Sequence, residues 1–366
     1  MAYDIIIGRD NADKEKFGNN GLIYLGKGYV KMGNYTSLSN KIYMDVARSH
    51  AILIAGKRGS GKSYSLAAIA EGLSDLPPEE SKNIASLIFD TMGIFWTMKY
   101  KNEKDKILLN EWGLETKSLP IKIFIPFGKI EEYKEKGIPA DKTFAIKVSE
   151  IEAEDWINLF NLQFVSLPSV LIQKIIPELK EKLIEFTIED IEMAIENDRK
   201  SSTETKHIVS SLFSAVKTWG VFSETKKGTE ISDLITPGTT TIIDASIYSS
   251  INTYNIRALI ISLISRKIFK TRLDERKREE VESIRQGQDY LSFNTERRSP
   301  LVWIFIDEAH EFLQRDSITP ATSALQQILR EGRQPGISLV LATQQPGQID
   351  KDVMTQSDII ISHRLT

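Results

Sequence analysis

The chain has 366 residues, 27% of them charged and 41% hydrophobic, with a formal net charge of -3. That is the composition of a globular protein with room for one large α/β domain or two smaller ones. The absence of cysteine excludes disulfides, thiolate zinc sites and cysteine nucleophiles, and the slight acidity excludes a protein that merely coats nucleic acid, so that any such contact must be local, such as a loop lining a pore.

At the N-terminus the run Ile5-Ile6-Ile7 is too short for a signal segment or a membrane span. No later apolar run exceeds strand length, so the expectation is a cytoplasmic, soluble chain without membrane insertion. Apolar, β-branched runs recur at 51–55, 84–89, 121–125, 239–243, 301–306, 338–342 and 359–361. They are mostly continuous rather than alternating, as in strands covered on both faces. Helical stretches separate them, which predicts a mainly parallel central sheet.

The first of these runs leads into Gly56-Lys57-Arg58-Gly59-Ser60-Gly61-Lys62-Ser63, and Tyr64 continues into a predicted helix. Strand, glycine-rich loop and helix in that order make a phosphate-binding loop. Glycines allow the tight turn that points successive N–H groups inward, and the helix N-terminus adds partial positive charge. Lys62 then reaches the β- and γ-phosphates, and the Ser63 hydroxyl ligates Mg²⁺. ATP with Mg²⁺ is therefore the expected ligand, and residues 56–64 are its binding set.

Residues 126–236 read as a mainly helical insertion. Thr187-Ile188-Glu189-Asp190 has the form of a helix start. In 203–219, Ile208, Val209, Leu212, Phe213, Val216 and Trp219 form a core-facing stripe that Gly220 ends. In 251–270, Ile256, Leu259, Ile260, Leu263, Ile264 and Ile268 form another. Residues 271–299 carry dense mixed charge, first read as a solvated helix extension followed by a mobile loop. The functional alternative is a surface loop for a partner or DNA.

The strand at 301–306 ends in Asp307-Glu308. An acid at the C-terminal edge of such a strand lies beside the phosphate loop, so Asp307 is expected in the Mg²⁺ shell. Glu308 is placed to orient and deprotonate the attacking water. Asp307-Glu308-Ala309-His310 also spells the label of a helicase class, whose other motifs are not apparent; His310 reads as a local polar residue. Arg330 and Arg333 precede the strand at 338–342. They are either ordinary surface charges or fingers reaching a neighbouring subunit's nucleotide. That strand ends in Thr343-Gln344, and Gln344, with Thr343 second, is the residue expected to touch the γ-phosphate or the water. The four histidines are scattered without ligand spacing, so no metal beyond nucleotide-bound Mg²⁺ is indicated.

Taken together, these segments resemble the HerA/FtsK group of ring-forming DNA-pumping ATPases, and HerA-like proteins most closely. The matching stretches are Arg48-Ser49-His50, the loop at 56–63, and those at 306–312, 330–337, 341–350 and 360–366. The resemblance covers 40–99 and 237–366, and the insertion by position only. It implies a RecA-like α/β fold, usually hexameric, that drives double-stranded DNA through a central pore with ATP, and a NurA-like nuclease as partner. It makes Arg333 or Arg330 the arginine acting across subunits and Arg364 a further phosphate-sensing residue. Where family members carry an N-terminal β-barrel, residues 1–47 are expected to form a short β element, with 48–366 as the ATPase domain. The leading expectation is an ATP-driven DNA translocase. A motor acting on protein in secretion or conjugation, and a nucleotide-dependent scaffold with little turnover, are the alternatives.

Overall fold

A computed structural model describes residues 3–32, 35–249, 254–286 and 297–365. The N-terminal segment forms a three-stranded sheet in the order β1-β3-β2, from β1 (Ile5–Ile7), β2 (Leu22–Met32) and β3 (Tyr35–Asp45). Helix α1 (Asn11–Phe17) lies between β1 and β2 and is capped by Asp10, whose side chain accepts from the Asp13 amide at 2.8 Å. Buried Arg9 pins the segment: it pairs with Asp45 and donates to the carbonyls of Gly18, Asn20 and Gly21.

The rest is built on an eight-stranded sheet in the order β11-β4-β10-β9-β5-β8-β6-β7. Every strand pairing in it is parallel. The first half of the chain supplies β4 (Ala51–Ala55), α2 (Lys62–Ser74), α3 (Pro78–Ser81), β5 (Ile84–Asp90), α4 (Lys106–Glu111) and β6 (Ile121–Pro126). After α5 (Ile130–Glu135) comes β7 (Lys142–Phe144), then α6 (Ala153–Leu159), α7 (Leu167–Lys182), α8 (Ile188–Asn197), α9 (Thr203–Lys217) and α10 (Ile231–Leu234). The chain closes with β8 (Thr240–Asp244), α11 (Tyr254–Gln286), β9 (Leu301–Ile306), α12 (Thr322–Glu331), β10 (Ile337–Thr343), α13 (Lys351–Gln356) and β11 (Ile359–Ser362). All seven predicted runs are strands. The eighth, β7, carries no apolar run and is held at the sheet edge by β6.

Because side chains alternate along a strand, each central strand feeds two cores. Ile52, Ile54, Trp303, Phe305, Val340 and Ala342 pack on the face covered by α2. Leu53, Val302, Ile304, Leu339 and Leu341 pack on the other, against α11 and α12. Burying Leu66, Ile69 and Leu73 of α2 stabilises that layer by about 1.5–3 kcal/mol per side chain.

The start of α8 is as expected: the Thr187 amide donates to Asp190 Oδ2 at 2.8 Å. Two expectations need correction. In α9, Val209, Phe213 and Val216 are buried, but Ile208 is 44% exposed, since it lies one helical step off the 209–213–216 face. The charge run after 270 is not simply solvated. Helix α11 does continue to Gln286, yet Arg272 is fully buried and donates to the Pro335 and Ser299 carbonyls, both at 2.8 Å. Residues 251–253 of the predicted helix and 287–296 of the charged segment lie outside the described residues. Among the described residues no helix is long and apolar enough to cross a membrane.

Candidate active site

Strand β4 runs straight into the glycine-rich loop, and α2 begins at Lys62. Two neighbours fix the loop's entry: the Gly56 amide donates to the Thr343 carbonyl (3.1 Å) and the Lys57 amide to the Arg364 carbonyl (3.0 Å). Gly56 admits no side chain, because a Cβ there meets Ser60 Oγ at 2.5 Å and His363 Cβ at 2.6 Å. Lys62 is buried and its ammonium donates to the Lys57 carbonyl at 3.1 Å, across the mouth of the loop. Lys57, Arg58 and Gly59 are exposed, and Tyr64 is 71% exposed. Among the described residues the buried Ser60 hydroxyl has no hydrogen-bond partner, which suits a cradle for an oxyanion.

Asp307 stands at the end of β9, one strand removed from β4, with β10 between them. Its Oδ2 accepts from Ser63 Oγ at 2.5 Å and its Oδ1 from the Glu308 amide at 2.8 Å. A hydroxyl and a carboxylate side by side at the loop are hard oxygen donors of the kind magnesium takes. The residues present therefore fit the ion, and Ser63 and Asp307 are the two that would hold it.

Glu308 follows in a left-handed backbone conformation, φ 50° and ψ 43°. Its Oε1 accepts from Gln344 Nε2 at 2.9 Å. Its buried Oε2 has no hydrogen-bond partner among the described residues, and His310 Nδ1 lies 3.5 Å away. Burial raises the Glu308 pKa above the usual carboxylate value, with the Asp307 charge adding to it. Lys62, the Gln344 hydrogen bond and Arg58 oppose the rise without cancelling it. A carboxylate with raised basicity and one free oxygen is suited to take a proton from water.

Strand β10 supplies the side chains between loop and acids. Thr343 Oγ1 lies 3.3 Å from His310 Nδ1, so His310 is part of this cluster rather than a merely local polar group. Burial lowers its pKa, and the Lys62 charge acts in the same direction against Glu311 and Asp307. The arginines are not brought here. Arg330 is 57% exposed on its side chain and donates to Asp352 Oδ2 at 2.8 Å. Arg333, 52% exposed, donates to the Gln356 carbonyl at 3.2 Å and lies 3.5 Å from Asp358. Asp358 accepts from the Ala51 amide, at the opposite end of β4 from the loop. Arg364 is exposed and reaches the loop through its carbonyl.

Sequence reasoning missed three groups near this edge. Asp90 ends β5, the neighbour of β9, and Asp244 ends β8 on the other side of β5, in register with Asp90. Burial and then the Asp244 charge push Asp90 up to about 7, although the Phe95, Ile94 and Gly93 amides oppose it. The signal was available: each acid ends an apolar strand, as Asp307 does. His363, whose Nε2 lies 3.0 Å from Ser65 Oγ, carried no such signal.

Residues 29–268 match the family model described as Helicase HerA, central domain. The chain is 22% identical over 350 residues to the DNA double-strand break repair helicase HerA of Saccharolobus solfataricus, covering 91% of this chain and 58% of that protein. It is 26% identical over 141 residues to the helicase of the same name from Pyrococcus furiosus, covering 36% of this chain and 25% of that one. It thus spans little more than half of the longer-matching relative. VirB4 of Thermoanaerobacter pseudethanolicus shares the fold, with a TM-score of 0.51 at 11% identity over 89% of this chain and 77% of that one. With a RecA-like sheet, a phosphate loop and two strand-end acids in place, the chain belongs to the HerA central-domain family of P-loop ATPases.

Proposed function

We propose that this chain is an ATP-hydrolysing motor that moves or unwinds double-stranded DNA as a ring oligomer, hexameric by family resemblance. The observation that carries the ATPase reading is the pair of bridges Ser63–Asp307 and Gln344–Glu308 (2.5 and 2.9 Å), which join loop, acids and intervening strand into one constellation. Lys62 binds the β- and γ-phosphates, Ser63 and Asp307 hold Mg²⁺, Gln344 orients Glu308, and the free Glu308 oxygen accepts the water's proton. Magnesium, which Ser63 and Asp307 would hold, would supply positive charge against that of the phosphate oxygens.

Arg333 and Arg330 serve a neighbouring subunit's nucleotide in this reading. What supports it is the exposure of both and, for Arg333, its place at the far end of β4 from the chain's own loop. Planar guanidinium groups stabilise charge spreading over a transferring phosphoryl group. Duplex DNA is proposed as substrate because the curated relatives are named as DNA break repair helicases; a NurA-like nuclease is the corresponding partner.

The test is the ATPase rate against protein concentration, with and without duplex DNA. The expected result is a rate per chain that rises with concentration and with DNA. Lys62→Ala should abolish nucleotide binding. Glu308→Gln should retain binding while turnover falls by about 10²–10⁴-fold. A rate independent of both concentration and DNA overturns the DNA-motor reading and turns attention to a protein substrate; tight binding with no turnover under any condition favours a scaffold.

A further inference from the structure

Strand β11 lies beside β4, on the side away from β10 and β9. Its bonding to β4 continues beyond Ser362. The His363 amide donates to the Ala55 carbonyl at 2.7 Å, and the Arg364 carbonyl accepts from the Lys57 amide at 3.0 Å. Residues 363 and 364 are thereby carried past the end of the strand and laid along the start of the phosphate loop.

The His363 side chain is fixed there as well. Its Nε2 lies 3.0 Å from the Oγ of Ser65, in the first turn of α2. A Cβ on Gly56 would meet His363 Cβ at 2.6 Å, and one on Gly61 would come within 3.7 Å and 3.8 Å of the ring atoms Cε1 and Nδ1. The φ of Gly56 is not positive, so a close neighbour rather than the backbone conformation calls for glycine at that position. His363 is such a neighbour. Its side chain is thus packed across the loop from the first glycine to the last, and it is only half-buried, so part of it still faces solvent.

The direction of a bound nucleotide follows from the strand order. Asp307 and Glu308, the acids assigned to the γ-phosphate end, follow β9, which is two strands to one side of β4. A triphosphate seated on the loop with its γ-end there extends its α-phosphate and nucleoside to the other side, where β11 ends and His363 stands. We propose that His363 is a nucleoside-binding residue, its imidazole ring packing against the nucleoside of the bound nucleotide. An aromatic ring offers a face on which any base can stack. Because Ser65 already engages Nε2 and the loop backs the ring, little side-chain freedom is left to lose on binding. The inference rests on the ATPase reading, which sets the end of the loop that the γ-phosphate occupies.

ATP and inorganic tripolyphosphate are the probes, each titrated with Mg²⁺ into the full chain carrying Glu308→Gln, so that ATP persists. Tripolyphosphate reaches the same loop but has no nucleoside. Adding His363→Ala should weaken ATP binding about tenfold, the scale of one ring stacked on a base, and leave tripolyphosphate binding unchanged. His363→Phe, which keeps a flat ring, should regain much of the ATP affinity. Equal weakening of both ligands makes His363 a clamp on the loop and overturns the proposal. So does an ATP affinity indifferent to His363→Ala, or a phenylalanine variant as weak as the alanine one. Failure of the ATPase reading looks different: neither ligand then binds in a Lys62-dependent way, whichever residue stands at 363.

Discussion

Glu308 concentrates the chemistry that single residues contribute. A non-glycine residue with φ of 50° is strained, at a cost of order 1–3 kcal/mol that persists only where the surroundings enforce it. Here the Asp307 carboxylate holds its amide and Gln344 holds its carboxyl. Burial raises its pKa above the usual carboxylate range, so it protonates earlier as pH falls. Turnover should therefore show an acid limb above the pKa of an ordinary glutamate, with activity lost below it and a flat profile there for Glu308→Gln. Gln344→Ala removes the hydrogen bond that favours the ionised form. It should move that limb further up and lower turnover by about tenfold, the worth of one charge-assisted contact, with ATP binding little changed. A pH profile identical to that of the unaltered protein rules this role out. Lys62, Ser63, Asp307 and Glu308 were legible in sequence because the fold fixes their spacing from an apolar strand. Partners that meet only across strands, such as His310 with Thr343, were not.

At the scale of elements, legibility followed the apolar runs. Strands buried on both faces must be continuously apolar, and all seven such runs were visible. The edge strand β7 is covered on fewer sides and its Lys142-Thr143-Phe144 carries no run to read. The charged half of α11 misled for a related reason: Arg272 is buried by its length and carbonyl partners, and charge runs in sequence do not reveal which member turns inward. Inside the 126–236 insertion, the segment that follows β6 and the one that follows α9 form a junction through backbone contact. The Gly128 amide donates to the Gly220 carbonyl at 2.9 Å, and a Cβ on Gly220 meets Gly128 Cα at 2.9 Å. Gly220 also has φ of 67°, where an L side chain costs roughly 1–2 kcal/mol. Gly220→Ala should thus lower unfolding free energy in urea by about 2 kcal/mol or more, strain and crowding adding. A loss within the ±0.5 kcal/mol of ordinary surface substitutions contradicts that account of the junction.

Across the molecule, a polar chain helps to join the N-terminal sheet to the ATPase sheet. Gly72 of α2 lies so close that a Cβ there meets Ile23 of β2 at 2.9 Å, and beside this apolar contact runs Arg9–Asp45–His50–Asp358–Arg333. His50 is buried between two carboxylates, Nδ1 2.7 Å from Asp358 and Nε2 3.1 Å from Asp45. Burial alone lowers its pKa, but hydrogen bonds to Asp358 and Asp45, with their charges, outweigh it and leave the pKa raised. Asp358 is raised by burial and brought below its usual value by His50, the Ala51 amide and Arg333. The signs set the window. A histidine whose folded pKa exceeds its unfolded value adds stability that is complete below the unfolded pKa and disappears as pH rises through the folded one. A carboxylate with a lowered pKa adds stability present above its unfolded value and lost as pH falls. The junction is thus strongest between the ordinary carboxylate and ordinary histidine ranges, and weakens as pH rises through the raised His50 value. His50→Gln keeps a hydrogen-bonding side chain of similar reach without the titrating charge. In urea unfolding it should be less stable than the unaltered protein by about 1–3 kcal/mol near pH 6, and the gap should narrow steadily towards pH 9 as His50 deprotonates. A gap of constant size across that range means that His50 acts through shape alone, and the charge linkage between the two sheets is then wrong.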